Sequence, residues 1–469
     1  MNTVLTLVAT LVMATLVIEL DLSLYVGVAV VAIPVYAYIL RRPALATAVL
    51  AAAPCIVFTT WASPAKILGL ALIPPLMYRA IQRPAQHVGA PWLHLGMVGV
   101  LGWLQFCDLI GTSSANYDYV VTFVGCVATI AIMHQFLTTP AALAVFIWVQ
   151  VAVLALVSLT VPLFVSLSDI EGMNRTGGLV GEPNGLGLTV GRLFPFTLAL
   201  LSYHKVPKHL KLLLLVVPPA AIWALFASNS RSGTLVLATG VVGFALIASK
   251  SWSGRAIASA AVVIGGFVIH EVAPDAFHQR TIDILMSSAG LTESKVDIAE
   301  ATSGRSTMNL LAIEAIVKSP FVGLGGGGFS SGNWSADYTG TAVHNVYLSL
   351  GAWGGLPAML GVAAMHVAAL VNALRVTFRA GSDRPLAAGC LSAGLATIAS
   401  AVNSPVVFSV TDWTTLALCA FLPNVFSAAA QRVAAEGLVT RSAQGDRADG
   451  LGPSAPRIPA MPVQSVREI

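Results

Sequence analysis

Residues 140–168 read PAALAVFIWVQVAVLALVSLTVPLFVSLS, a run without one charged side chain. About 20 apolar residues, wound as an α-helix at 1.5 Å each, cross the ~30 Å hydrocarbon core of a bilayer. Lipid offers backbone groups no hydrogen bonds, so a spanning segment is a helix or a strand of a closed barrel. Barrel strands alternate apolar and polar residues over about ten positions, and this run does not alternate. The stretch predicts a transmembrane helix.

Working outward, comparable runs fall at about 3–20, 22–40, 43–61, 64–80, 92–111, 116–137, 185–203, 209–227, 232–249, 254–272, 343–376, 384–402 and 405–431. With 140–168 they make fourteen candidate spans, the first two of which could also form a re-entrant pair. The expected fold is therefore an all-α, polytopic membrane protein of about 12–14 transmembrane helices. Composition agrees, with 56% hydrophobic residues, only 10% charged and a mean hydropathy of +0.81. Soluble domains carry about 25% charged residues, so a soluble enzyme, a disordered chain and a nucleic-acid binder are excluded. Cys55, Cys107, Cys126, Cys390 and Cys419 fall in or beside apolar runs and form no CxxC pair, which argues against a disulfide framework or a zinc site. The first twenty residues lack a basic start and a small-residue cleavage site, and read as a membrane helix.

Basic residues orient the spans. Arg41 and Arg42 follow the second, Arg79 and Arg83 the fourth, and Lys205, Lys208 and Lys211 the eighth. Lys250 and Arg255 follow the tenth, and Arg375, Arg379 and Arg384 the twelfth. The last stretch adds Arg432, Arg441, Arg447, Arg457 and Arg467. Each group follows an even-numbered span, and the positive-inside rule makes that side, with both termini, cytoplasmic. The organisation expected is membrane helices over 1–272, a long outer loop over 273–342, C-terminal membrane helices over 343–431 and a disordered cytoplasmic tail over 432–469. Within the loop, 305–318 predicts an amphipathic helix. Met308, Leu311, Ala312, Ala315 and Ile316 form its apolar stripe, suited to lying flat on the outer membrane surface, and Glu314 pairs with Lys318. Gly354-Gly355-Leu356-Pro357 predicts a break in the twelfth span, because proline cannot continue the hydrogen-bond ladder.

Four polar patterns share the outer side. Glu182-Pro183-Asn184-Gly185-Leu186-Gly187 opens the eighth span, with Arg192 two turns further in. Ser228-Asn229-Ser230-Arg231-Ser232-Gly233 joins the ninth and tenth. Gly304-Arg305-Ser306 precedes Lys318-Ser319-Pro320-Phe321-Val322-Gly323-Leu324-Gly325. His344-Asn345-Val346-Tyr347-Leu348 leads to the Gly354-Gly355 break. In this order, over about 180–360, the motifs resemble the O-antigen ligase and polysaccharide polymerase family of bacterial inner-membrane enzymes. Met308 and Asn309 stand where such proteins often carry Trp, and Trp353 where they often carry an acid.

The resemblance implies a glycan transferase working at the periplasmic face, with undecaprenyl-pyrophosphate-linked glycan as donor. The acceptor would be a sugar hydroxyl on lipid A core, for a ligase, or on another lipid-linked glycan, for a polymerase. The additional spans and long tail favour a polymerase of O-antigen or exopolysaccharide slightly. Arg231 and Arg305 are the expected clamps for the pyrophosphate, since a guanidinium binds phosphate oxygens bidentately. His344 is the expected general base, a neutral imidazole able to take the acceptor's proton. Asn184, Arg192, Asn345, Lys66 and Asp412 are candidates for substrate binding, although Asp412 could simply pair with an arginine. Cations fixed at the leaving group remove the need for a metal, so no cofactor is expected. The competing reading is a metal at Glu19 and Asp21, for which two carboxylates make a weak site. Membrane lipids are expected partners, and a chain-length regulator is left open. A different class, a flippase of lipid-linked glycans, would need charged residues along a path through the helices, whereas here the unusual residues gather at one face.

Overall fold

The computed structural model describes residues 34–56, 64–82, 91–110, 117–165, 175–274, 277, 305–326, 343–404 and 409–426. The first span, Glu19 and Asp21, most of the 273–342 loop and the 432–469 tail lie outside the described residues. Among the described residues every regular element is helical, and eight helices are long and apolar enough to cross a membrane. The protein is an all-α, multi-pass membrane protein.

In chain order the helices are α1 (Pro43–Ala52), α2 (Pro64–Gln82), α3 (Pro91–Ile110), α4 (Tyr117–Phe136), α5 (Pro140–Leu159) and α6 (Pro183–Ser202). They continue with α7 (Val217–Ser228), α8 (Arg231–Ala248), α9 (Trp252–Val272), α10 (Arg305–Lys318), α11 (Val346–Thr377), α12 (Arg384–Asn403) and α13 (410–426). Each expected span from the third onward meets a helix. α1 is much shorter than its span, continuing only through a 3₁₀ turn to Cys55, and α2 carries Pro74 and Pro75 inside it.

Without a hydrophobic drive between helices in lipid, close packing depends on small residues that let backbones approach. α6, α8 and α12 form the densest part of the bundle on that basis. A Cβ on Gly233 of α8 would sit 2.6 Å from the backbone of Gly187 on α6, a distance no side chain tolerates. The share of its span buried within the protein is 78% for α6 and 0% for α9, which separates the core from the rim. α9 packs on α8.

α11 breaks where the sequence predicts. Gly354 (φ −123°, ψ 15°) and Gly355 (φ 69°, ψ −171°) leave helical geometry, which strips backbone groups of their partners. The Ser319–Gly326 turn supplies replacements. Leu324 and Gly325 N–H donate to the Ala352 and Trp353 carbonyls at 2.8 and 3.0 Å, and Leu356 N–H donates to Pro320 O at 2.7 Å. From α3, Trp103 Nε1 donates to Gly354 O at 2.7 Å, and Asp108 Oδ1 accepts from Gly326 N–H at 2.7 Å.

α10 has the expected bounds and a different setting. Met308, Leu311, Ala312 and Ala315 are buried in a cluster with Val343 and Ala352, so the stripe packs on α11 and not on a membrane surface. Three spaced apolar residues of α10, Leu310, Ile313 and Val317, are the exposed ones. The Glu314–Lys318 pair forms at 2.7 Å, half exposed and hence worth little.

Candidate functional site

The Ser228–Gly233 motif is first a piece of helix-end chemistry. Asn229 adopts the left-handed conformation (φ 46°, ψ 46°) that closes α7. Ser230 then caps α8, its Oγ accepting from Gly233 N–H at 3.1 Å. Arg231 is thereby fixed as the first residue of α8. The Glu182–Gly187 motif opens α6 with Pro183 at its first position, where a missing N–H costs nothing. Arg175 ties the two motifs together: its Nε donates to Ser228 O and its guanidinium to Asn184 Oδ1, each at 3.0 Å. Ser230 Oγ also meets Asn184 Oδ1, at 3.5 Å.

Deeper in the membrane, Arg192 and Asp412 form a buried ion pair between α6 and α13. Arg192 Nε also donates to Leu188 O at 3.1 Å. A buried charge without such a partner would be very costly, and each residue answers the other.

The final motif positions His344. Ser349 Oγ donates to Val343 O at 3.3 Å, and Asn345 Oδ1 caps α11 by accepting from Tyr347 and Leu348 N–H at 3.0 and 3.1 Å. Tyr347 hydroxyl lies 2.7 Å from His366 Nδ1, and the His366 ring meets Trp413 edge-on at 5.5 Å. His344 thus sits on backbone held from both sides.

These elements enclose a polar cavity of about 90 Å³, room for a few water molecules. His344, Asn184, Arg192 and Asp412 line it, joined by Glu182. Asn403, Ser404 and Ser409 complete the wall from the end of α12 and the approach to α13. The cavity lies at the N-terminal ends of α6 and α11, opposite the ends that lead to Lys205, Lys208, Arg375 and Arg379.

The remaining candidates are elsewhere. Asn345 does not line the cavity, and its side-chain oxygen is taken by the helix cap, which replaces the substrate-binding expectation for that oxygen. Lys66 is exposed in the first turn of α2 and does not line the cavity. Arg305 opens α10, and its side chain lies outside the described residues. Arg231 is partly buried and does not line the polar cavity either. Helix geometry gives it another neighbour. Arg231, Thr234, Ala238, Val241, Ala245 and Ala248 recur every three or four residues on one face of α8. All but Arg231 line an apolar fissure of about 910 Å³ between α6, α7, α8 and α9. The fissure runs from the first turn of α8 to Ser249 past its last, and 18 helical residues measure about 27 Å, the depth of a bilayer core. Arg231 heads the stripe that lines it.

Sequence reasoning passed over Arg175, Glu182, Asn403, Ser404 and Ser409 as site residues. Glu182 belonged to a quoted motif. The others carried no signal, since nothing local reveals which distant helix a serine or arginine meets.

Comparison with known protein families and with characterised proteins finds no match for the chain. The likeness to the ligase and polymerase family rests on the four motifs.

Proposed function

We propose that the protein is a membrane glycan transferase of the O-antigen ligase or polysaccharide polymerase type. It moves a glycan from undecaprenyl pyrophosphate to a sugar hydroxyl at the periplasmic face of a bacterial inner membrane. One observation carries this reading. Arg231 heads the face of α8 that lines an apolar fissure about as long as a bilayer is deep, and the start of the same helix meets the wall of the polar cavity that contains His344. The contact is made by Ser230, the residue beside Arg231, whose hydroxyl lies 3.5 Å from Asn184 Oδ1. An isoprenoid chain suits the fissure, a pyrophosphate suits the guanidinium and a sugar hydroxyl suits the cavity.

The reaction follows from that arrangement. The acceptor oxygen attacks the anomeric carbon, and the bond from that carbon to the pyrophosphate oxygen breaks. The acceptor's proton passes to His344, and polyprenyl pyrophosphate leaves with its charge held by Arg231 and by Arg305 at the head of α10. A single displacement inverts the anomeric configuration. The basic loops at the opposite helix ends support the periplasmic location through the positive-inside rule.

A flippase of lipid-linked glycans also needs a path of bilayer depth. The lining between the ends of the fissure is apolar, with Thr234 and His270 at one end and Ser202 and Ser249 at the other. That lining gives a glycan no polar route, and it favours the transferase. The test is transfer in proteoliposomes from a polyprenyl-pyrophosphate glycan to a sugar acceptor. His344→Ala should abolish product while the donor still binds. Translocation of donor without formation of a new glycosidic bond would overturn the reading.

A further inference from the structure

We infer that the polar cavity is the acceptor's subsite and that Glu182 sets its charge preference, favouring acceptor sugars without acidic groups. The inference rests on the glycan-transfer reading and adds the class of acceptor to it.

The starting point is how the charges in the cavity are already committed. Among the described residues that line the cavity Arg192 is the one guanidinium, and it is paired with Asp412 and also donates to the Leu188 carbonyl. The pair is neutral and buried, so it has no cation to lend an anionic ligand. Arg175 is nearby but does not line the cavity, and its guanidinium is engaged by Asn184 and Ser228. His344 must be uncharged to act as a base. Among the described charged residues that line the cavity, Glu182 stands outside that pair; its carboxylate is exposed and makes no ion pair among the described residues.

The other polar groups are Asn184, Asn403, Ser404 and Ser409. Amides and hydroxyls both donate and accept, as sugar hydroxyls do. A cavity of this kind accepts hydroxyl-bearing edges and lacks what a carboxylate or phosphate requires. The pyrophosphate of the donor would meet the same repulsion here, which fits its assignment to the fissure side at Arg231. The two substrates are sorted by charge: the anion goes to the arginine, and the neutral hydroxyl goes to the cavity beside His344. Glu182 is well placed to set this preference without holding the fold together. It occupies the N-cap position of α6 but makes no side-chain capping bond there.

The test uses the full-length protein in nanodiscs at low salt. Methyl glycosides of glucose, galactose and mannose are each paired with the matching uronate, and binding is measured by equilibrium competition. At least one neutral glycoside should bind, with its uronate roughly tenfold weaker, the penalty expected for like charges several ångströms apart near a surface. Glu182→Gln should bring each pair to near equality, and Glu182→Lys should reverse the order. A uronate that binds wild type as well as its neutral partner overturns the proposal, as does binding of none of the six sugars or an unchanged ratio in Glu182→Gln. Transfer from a polyprenyl-pyrophosphate donor is assayed in parallel. The expected discrimination in binding without transfer overturns the transferase reading and leaves the acceptor preference standing.

Discussion

His344 is placed by its neighbours' backbone. The cap from Asn345 and the anchor from Ser349 fix the peptide on each side of it, so its side chain can be changed without releasing the helix. His344→Gln should therefore insert and fold normally. A general base contributes about 10²–10⁴-fold, and the amide cannot take a proton at neutral pH, so transfer should fall by that factor. Wild-type rates in the Gln variant would mean that His344 only positions the acceptor. Arg231→Lys keeps the charge and loses the planar fork, and should raise the donor KM and lower kcat in a transfer assay. Asp412 behaves differently. Removing it leaves Arg192 buried and unpaired, a loss of about 3–5 kcal/mol, so Asp412→Ala should unfold at markedly lower temperature in detergent. The double variant Arg192→Met, Asp412→Leu removes both charges and should recover most of that loss. Equal melting temperatures in the single and double variants would show that the pair carries no such coupling.

Among the elements, α10 and the turn after it respond to the break in α11. Gly355 sits at φ 69°, ψ −171°, a region that is essentially glycine's alone, and a Cβ there would lie 2.5 Å from the Phe321 backbone. Gly355→Ala should cost at least about 1–3 kcal/mol from backbone strain, with the clash in addition, and should lower the melting temperature. Asp108 holds the far end of the same turn through Gly326. Asp108→Ala should speed hydrogen exchange over 319–326 while α3 exchanges as before; unchanged exchange would mean the Pro320 and Leu324 bonds hold the turn alone. The boundaries of α10 and the break in α11 were legible in the sequence because a stripe of spacing 3.6 and a Gly-Gly-Leu-Pro run are local signals. What α10 packs against was not legible. An apolar stripe fits a helix partner and a lipid surface equally, and only the proximity of Val343 and Ala352 decides.

For the whole molecule, the membrane-helical architecture was legible because span length is a property of each segment alone. The joining of α6 to α13 by Arg192 and Asp412 was not, since the two residues are 220 positions apart. The separation of Arg231 from the cavity of His344 was also hidden, because it depends on how α8 is rotated in the bundle. Sidedness itself can be checked: Ser335→Cys should react with an impermeant thiol reagent from the periplasm and Thr440→Cys only from the cytoplasm. The native cysteines are all buried and give a low background. Reversed labelling would move the site to the cytoplasmic face.

The exposed setting of α9 has a kinetic consequence. On the proposed function, a fissure bordered by a rim helix with none of its span buried within the protein would be filled sideways, from within the bilayer. For a donor that arrives in this way, the quantity that saturates the protein is its mole fraction among the lipids. Diluting proteoliposomes in buffer at fixed lipid composition should leave turnover per protein unchanged, and diluting the donor with more phospholipid should slow it. The half-saturation point would then be a surface density, set by the two-dimensional traffic of the membrane.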